Sequence, residues 1–289
     1  MIYLNYAALH PTHPDTEKES TRAITEFKQF LYSDAGIAWY LQKVNVCRQK
    51  VGKLLHISDP SAIAFCSNAS SANYLILSSV KWESGDTVLT TTHENPSTTR
   101  QFWALKKRGV HICAIQPSSP DQFLESIRQA LDQHSVKVIM VSHVSHVDGR
   151  ILPISLLSTM ARERGVMFFV DGAQAVGHIP VDLDQLDPDV YFFTGHKWCA
   201  GPLGTGAMVL SHHFLNSEVR QLIQITEKLT THMRASDQDL TSWTGATSPS
   251  LSKYILLLNP YHYQQTLLRL KPLPCLPLKD FLYLSLIHI

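Results

Sequence analysis

The sequence predicts an α/β fold whose central sheet is mainly parallel. Seven short apolar runs, rich in β-branched and aromatic residues and bounded by turn residues, alternate with stretches of helical periodicity. Strands that alternate with helices form βαβ units, and such units place ligands at the carboxyl ends of the strands. The chain of 289 residues, 44% hydrophobic, is long enough for one large domain or two modest ones.

Each predicted element follows from its local pattern. The predicted strands are Ile63–Phe65, Thr87–Thr91, Val110–Ile115, Val136–Ser142, Val166–Val170, Val190–Phe193 and Gly206–Leu210. The predicted helices between them are Ser71–Lys81, Ser97–Arg108, Asp121–Gln133 and Pro153–Arg164. A helical stretch over Asp15–Leu55, with a break around Ser33–Gly36, precedes the first strand. After about Leu251 the periodicity is lost, and three prolines in the tail would break a helix.

Composition narrows the class of protein. A formal net charge of +1 offers no electrostatic reason for nucleic acid or a membrane surface as partner. No apolar run reaches the roughly 18 residues that a membrane helix needs, and the N-terminus lacks the pattern of a signal peptide. The five cysteines form no CxxC pair, so we expect a reducing, cytoplasmic location.

A carboxylate ends one buried strand. In MFFVDGAQAVG, residues 167–177, Asp171 follows an apolar run and precedes a turn of small residues. Such a carboxylate is unfavourable unless it meets a cation or a hydrogen-bond donor, and a protonated pyridine nitrogen is one such cation. Asp171 could equally cap the next helix or bind a metal ion.

A lysine follows a second buried strand. In DVYFFTGHKWCAGPLGTG, residues 189–206, Lys197 lies in a tight turn after Thr194 and His196. Neighbouring cations and partial desolvation would lower the pKa of this amine, as a Schiff-base lysine requires, although Lys197 taken alone is more typical of an ordinary surface lysine. Asp171 and Lys197 are 26 positions apart, a separation that corresponds to one crossover, so both groups belong to the same rim of the sheet.

The two motifs together resemble the signature of class V aminotransferases, which have the large domain of fold-type I PLP-dependent transferases. The family includes cysteine desulfurases, isopenicillin-N-epimerase-like proteins and cystine lyases. The resemblance implies that pyridoxal 5'-phosphate (PLP) is the cofactor and that Lys197 is its Schiff-base lysine and catalytic base. It also implies that Asp171 is the pyridinium partner, Ala173 packs on the ring and Gln174 donates to its phenolic oxygen. Thr194 and His196 would bind the phosphate.

Further segments are similar to parts of the same family. YLNYAALHP at 3–11 resembles its opening segment, and AFCSNASSANYLIL at 64–77 resembles its phosphate loop. In that loop the backbone N–H groups of Asn68, Ala69 and Ser70 would begin a helix, where anions bind, although a plain Ser/Asn helix cap is equally common. By the same resemblance Asn95, or His93 near it, covers the ring, and His146 lies on the substrate side.

The resemblance covers roughly residues 2–251 and implies a homodimer in which Thr247 reaches the phosphate of the neighbouring subunit. The expected organisation is an N-terminal segment 1–20, a PLP-binding large domain 21–251 and an atypical tail 252–289. The tail is expected to be either an artefact of the reading frame or a remnant of the family's small C-terminal domain. Neither Arg269 nor Cys275 in that tail is assigned a role.

The sequence therefore predicts a PLP-dependent enzyme that acts on an amino acid through an external aldimine, as a C–S lyase or an aminotransferase-like enzyme. A catalytically inactive fragment that keeps the PLP fold is the main alternative. A remote alternative is a metal-dependent hydrolase with His143, His146, Asp148 and Asp171 as ligands, since His and carboxylate groups suit Zn or Mn. The leading prediction includes no metal site.

Overall fold

The computed structural model describes residues 3–30 and 33–215. Two compact units divide these residues: the first contains residues 3–30, 33–75 and 82–211, and the second contains residues 76–81 and 212–215. The sheet and all the candidate site residues within the described ranges belong to the first unit. Thr247 and the predicted tail 252–289 lie outside the described residues.

A seven-stranded sheet forms the centre of the first unit. Its strands are β1 (Ile63–Cys66), β2 (Thr87–Thr91), β3 (His111–Ile115), β4 (Val136–Ser142), β5 (Met167–Asp171), β6 (Val190–Thr194) and β7 (Gly206–Leu210). Their order across the sheet is β1-β7-β6-β5-β4-β2-β3, and only β7 runs antiparallel to its two neighbours. The prediction of an α/β fold with a mainly parallel sheet is confirmed.

Helices connect the strands. They are α1 (Pro14–Phe30), α2 (Asp34–Leu54), α3 (Ala69–Ser79), α4 (Pro96–Lys106), α5 (Pro120–Gln133), α6 (Ile154–Glu163), α7 (Leu183–Leu186) and α8 (His212–Phe214). The break expected around Ser33–Gly36 falls between α1 and α2, where the Ser33 side chain accepts a hydrogen bond from the Gly36 amide. An N-cap of this kind starts a new helix because it satisfies an otherwise unpaired N–H group.

Burial follows the order of the strands. All five residues of β2 and of β6 are buried, as are the last five of β4, whereas β3 at the edge is partly exposed. Helix α5 turns four residues at helical spacing towards the core: Phe123, Ile127, Ala130 and Leu131. A sheet whose central strands are covered on both faces is rigid, which is what a site built on the ends of these strands requires.

Candidate active site

The chemically active residues gather at one rim of the sheet. The strands β1, β2, β4, β5 and β6 run in the same direction, so their carboxyl ends lie at the same edge. The residues that end these strands are Cys66, Thr91, Ser142, Asp171 and Thr194. Polar residues follow each of them along the chain, and this rim is where parallel α/β sheets bind ligands.

Asp171 is the buried carboxylate of this rim, with 6% of its surface exposed. Its Oδ1 accepts a hydrogen bond of 2.9 Å from the amide of Ala173, and the nearby side chain of Thr98 also acts to lower its pKa. Burial nevertheless raises the pKa of Asp171 above its ordinary value. The site thus holds a carboxyl group whose charged form needs a further cation, as a protonated ring nitrogen would supply.

Lys197 lies within electrostatic range of this carboxyl, in the turn that follows β6. Burial lowers the pKa of its amine, and the charge of Asp171 acts in the opposite direction. A lowered pKa increases the fraction of neutral amine, which is the form that attacks a carbonyl carbon. The structure therefore places a nucleophilic amine and a buried carboxyl together, as the spacing of the two motifs predicts.

The start of α3 offers donors to an anion. The side chain of Asn68 accepts a hydrogen bond of 2.8 Å from the amide of Ser71, and the Ser71 hydroxyl donates to the Asn68 carbonyl at 2.8 Å. The amides of Ala69 and Ser70 lie in the first turn of α3, where a helix gives N–H groups no internal acceptor. Two amides and the helix dipole at this terminus can therefore meet a phosphate.

A glycine brings this helix start close to β6. Gly206 pairs with Thr194 on one side and with Cys66 on the other. A Cβ atom on Gly206 would lie 2.7 Å from the carbonyl oxygen of Phe193 and 3.0 Å from Cα of Asn68. Only glycine fits at this separation, so Gly206 sets the distance between the start of α3 and the end of β6. The sequence motif contains this glycine, but its contact with Asn68 is visible only in the structure.

Thr194 and His196 occupy the other side of the same cradle. The Thr194 side chain is 3% exposed, and its Oγ1 lies 2.9 Å from Nδ1 of His196. Burial lowers the pKa of His196, and the neighbouring charge of Lys197 lowers it further. The two side chains are thus held together beside the start of α3, and their role as phosphate ligands stays a prediction.

Gln174 joins the two sequence motifs. Its Oε1 accepts a hydrogen bond of 2.7 Å from the indole N–H of Trp198, and its Nε2 donates to the carbonyl oxygen of Ala7 at 3.1 Å. The ring of Trp198 also stacks on His178, with centroids 4.0 Å apart. These contacts fix the carboxamide of Gln174 at the site, while its predicted bond to a phenolic oxygen stays a prediction.

The N-terminal segment lies across both motif loops. Besides the bond from Gln174 to Ala7, the amide of His10 donates to the carbonyl of His196 at 3.0 Å, and the amide of His13 donates to the carbonyl of Ala200 at 3.0 Å. The segment therefore lies against both motif loops, and its family role stays a prediction.

The turn between β2 and α4 carries the two candidates for covering the ring. Asn95 is the N-cap of α4, because its Oδ1 accepts a hydrogen bond of 2.9 Å from the amide of Ser97. The ring of His93 has Nε2 at 3.0 Å from the side-chain nitrogen of Gln116 and Nδ1 at 3.5 Å from a carboxylate oxygen of Asp148. Both side chains lie beside the rim, and which of them covers the ring stays a prediction.

His146 lies on the neighbouring loop after β4. Its Nδ1 donates a hydrogen bond of 3.1 Å to the carbonyl oxygen of His93, and its side chain is within electrostatic range of Asp171. The exposed imidazole thus stands at the open side of the site. Its predicted substrate-side role stays a prediction.

Sequence reasoning missed a layer of buried polar residues beneath the site. Glu94 is buried against Thr91 and Ser142, and Nδ1 of His143 lies 2.9 Å from the hydroxyl of Tyr191. The ring of Tyr191 passes so close to Gly172 that a Cβ there would lie 2.2 Å from it. The sequence signal that could have revealed this buried polar layer is the presence of polar residues directly after strongly apolar strands.

The ligands of the alternative metal site are not grouped. Within residues 3–30 and 33–215, no three His, Cys, Asp or Glu side chains form an arrangement that could hold a metal ion. His143 is buried with its Nδ1 against Tyr191, and burial lowers its pKa to about 4. The described residues give the metal-dependent hydrolase no geometric support.

The residues present fit pyridoxal phosphate. The first-turn amides of α3 with Thr194 and His196 form a cradle for a phosphate, and Gly206 keeps its two sides together. Asp171 offers a buried carboxylate to a ring nitrogen, and Lys197 offers an amine at the same rim of the sheet.

Across the described ranges no helix is long and apolar enough to cross a membrane.

The chain is similar in sequence to curated cysteine desulfurases. A probable cysteine desulfurase of Methanothermobacter thermautotrophicus is 27% identical over 217 residues, which are 73% of this chain and 53% of that protein. The cysteine desulfurase IscS of an Enterobacter species is 27% identical over 215 residues, which are 72% of this chain and 52% of that protein. The chain therefore spans about half the length of these relatives.

Solved structures show the same fold. A complex of the cystine C–S lyase C-DES with its product cysteine persulfide matches with a TM-score of 0.67 and 24% identity, over 74% of this chain and 58% of that one. The apo cysteine desulfurase of Thermococcus onnurineus matches with a TM-score of 0.67 and 23% identity, over 75% of this chain and 55% of that one. These likenesses support the fold-type I architecture.

The family described as Aminotransferase class-V matches residues 36–246, a range that contains the sheet and both motifs. The match confirms the family that VDGAQAVG and TGHKWCAGPLGTG indicate. The chain belongs to the class V aminotransferase family.

Proposed function

We propose that this chain binds PLP through Lys197 and, in its complete assembly, acts on an amino acid. One observation carries the proposal: a desolvated lysine and a buried carboxyl share one rim with a helix start that presents free amides. Burial moves the pKa of both Asp171 and Lys197 towards the neutral form, and the attraction between the two groups opposes this only in part. A cofactor with a ring cation would pair with Asp171, its carbonyl would react with the amine of Lys197, and its phosphate would bind at the helix start.

The residues that would hold the cofactor follow from these positions. Its phosphate would meet the amides of Ala69 and Ser70 together with Thr194 and His196, and Thr247 of a second subunit in a homodimer, whereas the amide of Asn68 already donates to Oγ of Ser71 at 3.2 Å. Its ring nitrogen would meet Asp171, and the ring would lie between Ala173 and Asn95. Gln174 would donate to its phenolic oxygen. When bound, PLP supplies an electron sink for the negative charge that develops on the α-carbon of an amino acid.

The chain's own groups would then do the proton chemistry. Nζ of Lys197 is the general base that takes the α-proton, because its amine is partly buried and its pKa is lowered. The N-terminal segment would support the loop that carries Lys197, through its bonds to His196 and Ala200. His146 and His93 would bind or orient the substrate at the open side.

The reaction we favour is carbon–sulfur chemistry on an amino acid such as cysteine or cystine. The support comes from the named relatives, which are cysteine desulfurases, and from the likeness to a cystine C–S lyase. An aminotransferase-like outcome shares the first proton transfer and stays open. The four cysteines of the described residues are free thiols, which supports a reducing, cytoplasmic location.

A second candidate is a PLP-binding chain without turnover. The described residues supply the cofactor-binding groups of the site, and the chain spans about half the length of its curated relatives. In that case the cofactor half of the site would form and the substrate half would be supplied elsewhere or be missing.

The test is cofactor binding by spectroscopy, followed by turnover. Wild-type protein with PLP should show an absorption band at about 410–430 nm, as a lysine-bound cofactor does, and Lys197→Ala should lose that band. Lys137→Ala is the matched control, because Lys137 is also partly buried but forms an ion pair with Asp86 at 2.8 Å, away from the site. Loss of the band in both variants, or in neither, would contradict the proposal.

Turnover is measured on the same preparations with cysteine and with cystine. Release of sulfide or pyruvate that depends on Lys197 supports the lyase, and release of an α-keto acid with transfer of the amino group supports the aminotransferase. A stable band without either product identifies the PLP-binding chain without turnover.

A further inference from the structure

Glu94 is a buried carboxyl group that the proposed chemistry does not use. Only 5% of the residue is exposed, yet three donors surround its side chain. Oε1 accepts from the hydroxyl of Thr91 at 2.6 Å and from the amide of Ser142 at 3.1 Å, and Oε2 accepts from the hydroxyl of Ser142 at 2.7 Å. A buried group with this many short bonds holds its surroundings in one arrangement.

The first of these bonds closes the turn after β2. The hydroxyl of Thr91 donates to Glu94 and accepts a hydrogen bond of 3.2 Å from the amide of His93, so both ends of the turn meet on one oxygen. The next residue, Asn95, caps α4. In the first turn of α4, the side chain of Thr98 acts to lower the pKa of Asp171. The turn that Glu94 closes therefore leads directly into Asn95 and Thr98.

The other bonds attach the same turn to the end of β4. Ser142 is the last residue of β4 and pairs in register with Asp171 of β5. The carboxyl of Glu94 therefore bridges the end of β2 to the residue beside the ring-nitrogen partner. Asp171 also acts on Glu94 electrostatically, and it contributes, after burial, to raising the pKa of Glu94 to about 7.

We propose that Glu94 is a positioning residue for the cofactor: its accepted hydrogen bonds hold the turn that leads into Asn95 and tie it to Ser142, the β4 residue beside Asp171. The inference rests on the proposed binding of PLP. It assigns the effect to accepted hydrogen bonds and not to the charge of the carboxylate. Glutamine keeps two acceptor positions on Oε1, and its NH₂ can donate to the Ser142 hydroxyl, which also accepts.

A purely structural role for Glu94 is the competing explanation, and the fold contains a matched control. At the opposite end of the same two strands, Asp86 precedes β2 and accepts from Lys137 of β4 at 2.8 Å. Both carboxylates therefore link β2 to β4, but only Glu94 lies at the site. Glu94→Ala and Asp86→Ala should both lower the melting temperature, and only the first should affect cofactor binding.

The experiment measures PLP affinity by absorbance titration and local opening by hydrogen–deuterium exchange in the apo protein. Loss of the Glu94 bonds should weaken PLP binding at least about 10-fold in Glu94→Ala, and Glu94→Gln should stay within about 3-fold of wild type. Exchange should rise in residues 92–99 of Glu94→Ala and not in those of Asp86→Ala. If Glu94→Ala does not fold, Ser142→Ala, which removes one of the three bonds, should weaken PLP binding about 3-fold.

Two results would overturn the inference. One is a Glu94→Ala protein that binds PLP as well as Asp86→Ala does and shows unchanged exchange in residues 92–99. The other is a Glu94→Gln protein as weak as Glu94→Ala, which would assign the effect to charge. Failure of the wild-type protein to bind PLP would instead reject the proposed function, and the exchange of residues 92–99 in the apo protein would still decide whether Glu94 holds the turn.

Discussion

The indole N–H of Trp198 donates a hydrogen bond of 2.7 Å to the carboxamide oxygen of Gln174. This bond joins the loop after β5 to the loop after β6, and so it joins the residues around Asp171 to those around Lys197. At the crossing, Gly177 approaches the backbone of Trp198 so closely that a Cβ would lie 2.7 Å from its carbonyl carbon. The two motifs are therefore one structural unit, although 26 residues separate Asp171 from Lys197.

Trp198→Phe should weaken the contact between the two motif loops without abolishing PLP binding. Phenylalanine keeps an aromatic face for His178 but removes the donor to Gln174, so the free energy of unfolding should fall by about 1 kcal/mol. We expect PLP binding to weaken by about 3- to 10-fold, as the carboxamide of Gln174 loses one of its two partners. The measurements are urea unfolding and absorbance titration, and a Trp198→Phe protein with wild-type affinity would show that this bond does not organise the site.

Asp171→Asn should separate stability from cofactor binding. Burial raises the pKa of Asp171, so the apo protein carries a carboxyl group that its environment disfavours in the charged form. An amide of equal size should leave the apo melting temperature unchanged or higher, and it should weaken PLP binding by at least about 10-fold because it cannot pair with a ring cation. Thermal unfolding with and without PLP measures both effects. A variant that is less stable yet binds PLP normally would contradict the proposed role.

Gly206→Ala should widen the phosphate cradle. A Cβ at this position meets backbone atoms of Phe193 and Asn68, which cannot move as a flexible side chain could. The start of α3 must then shift from Thr194, and we expect PLP affinity to fall by about 10-fold or more. Gly52→Ala is the control, since its Cβ would meet only the side chain of Pro60 closely, at 3.1 Å. Equal losses of affinity in both variants would argue against a specific role for Gly206.

The stability of the apo protein should depend on pH through Glu94. Burial raises the pKa of Glu94 from 4.5 to about 7, so the folded state binds this proton more tightly than the unfolded state. The resulting contribution is fully present below pH 4.5 and is lost as the pH rises to about 7.

Glu94→Gln removes this titration. The free energy of unfolding of the variant relative to wild type should therefore increase between pH about 4.5 and about 7, by roughly 2–3 kcal/mol. Urea unfolding of both apo proteins at pH 4.5, 5.5 and 7 measures the difference. Parallel pH profiles for the two proteins would show that Glu94 titrates as an ordinary carboxyl.

The sequence predicted the order of the strands and of the helices between them, with boundaries within two residues of those observed, and two of the differences show what the pattern could not reveal. Apolar pattern ends the predicted fifth strand at Val170, whereas β5 continues through Asp171, because its pairing with Ser142 and Phe192 keeps the backbone extended. The predicted helix after β1 begins at Ser71, whereas α3 begins at Ala69, after the side chain of Asn68 has capped it. Pairing and capping act beyond the last apolar residue, where hydrophobic periodicity carries no information.

The sequence by itself determined the alternation of strands and helices, because local periodicity encodes it, and the two motifs after β5 and β6 indicated the family by their resemblance to its signature. Only the tertiary structure decided what surrounds those motifs. Glu94 contacts Ser142, which lies 48 positions further along the chain. Gly206, the first residue of β7, lies close to Asn68, and β7 runs antiparallel to the other strands. Such contacts depend on which strands become neighbours, and strand order arises from the packing of the whole sheet.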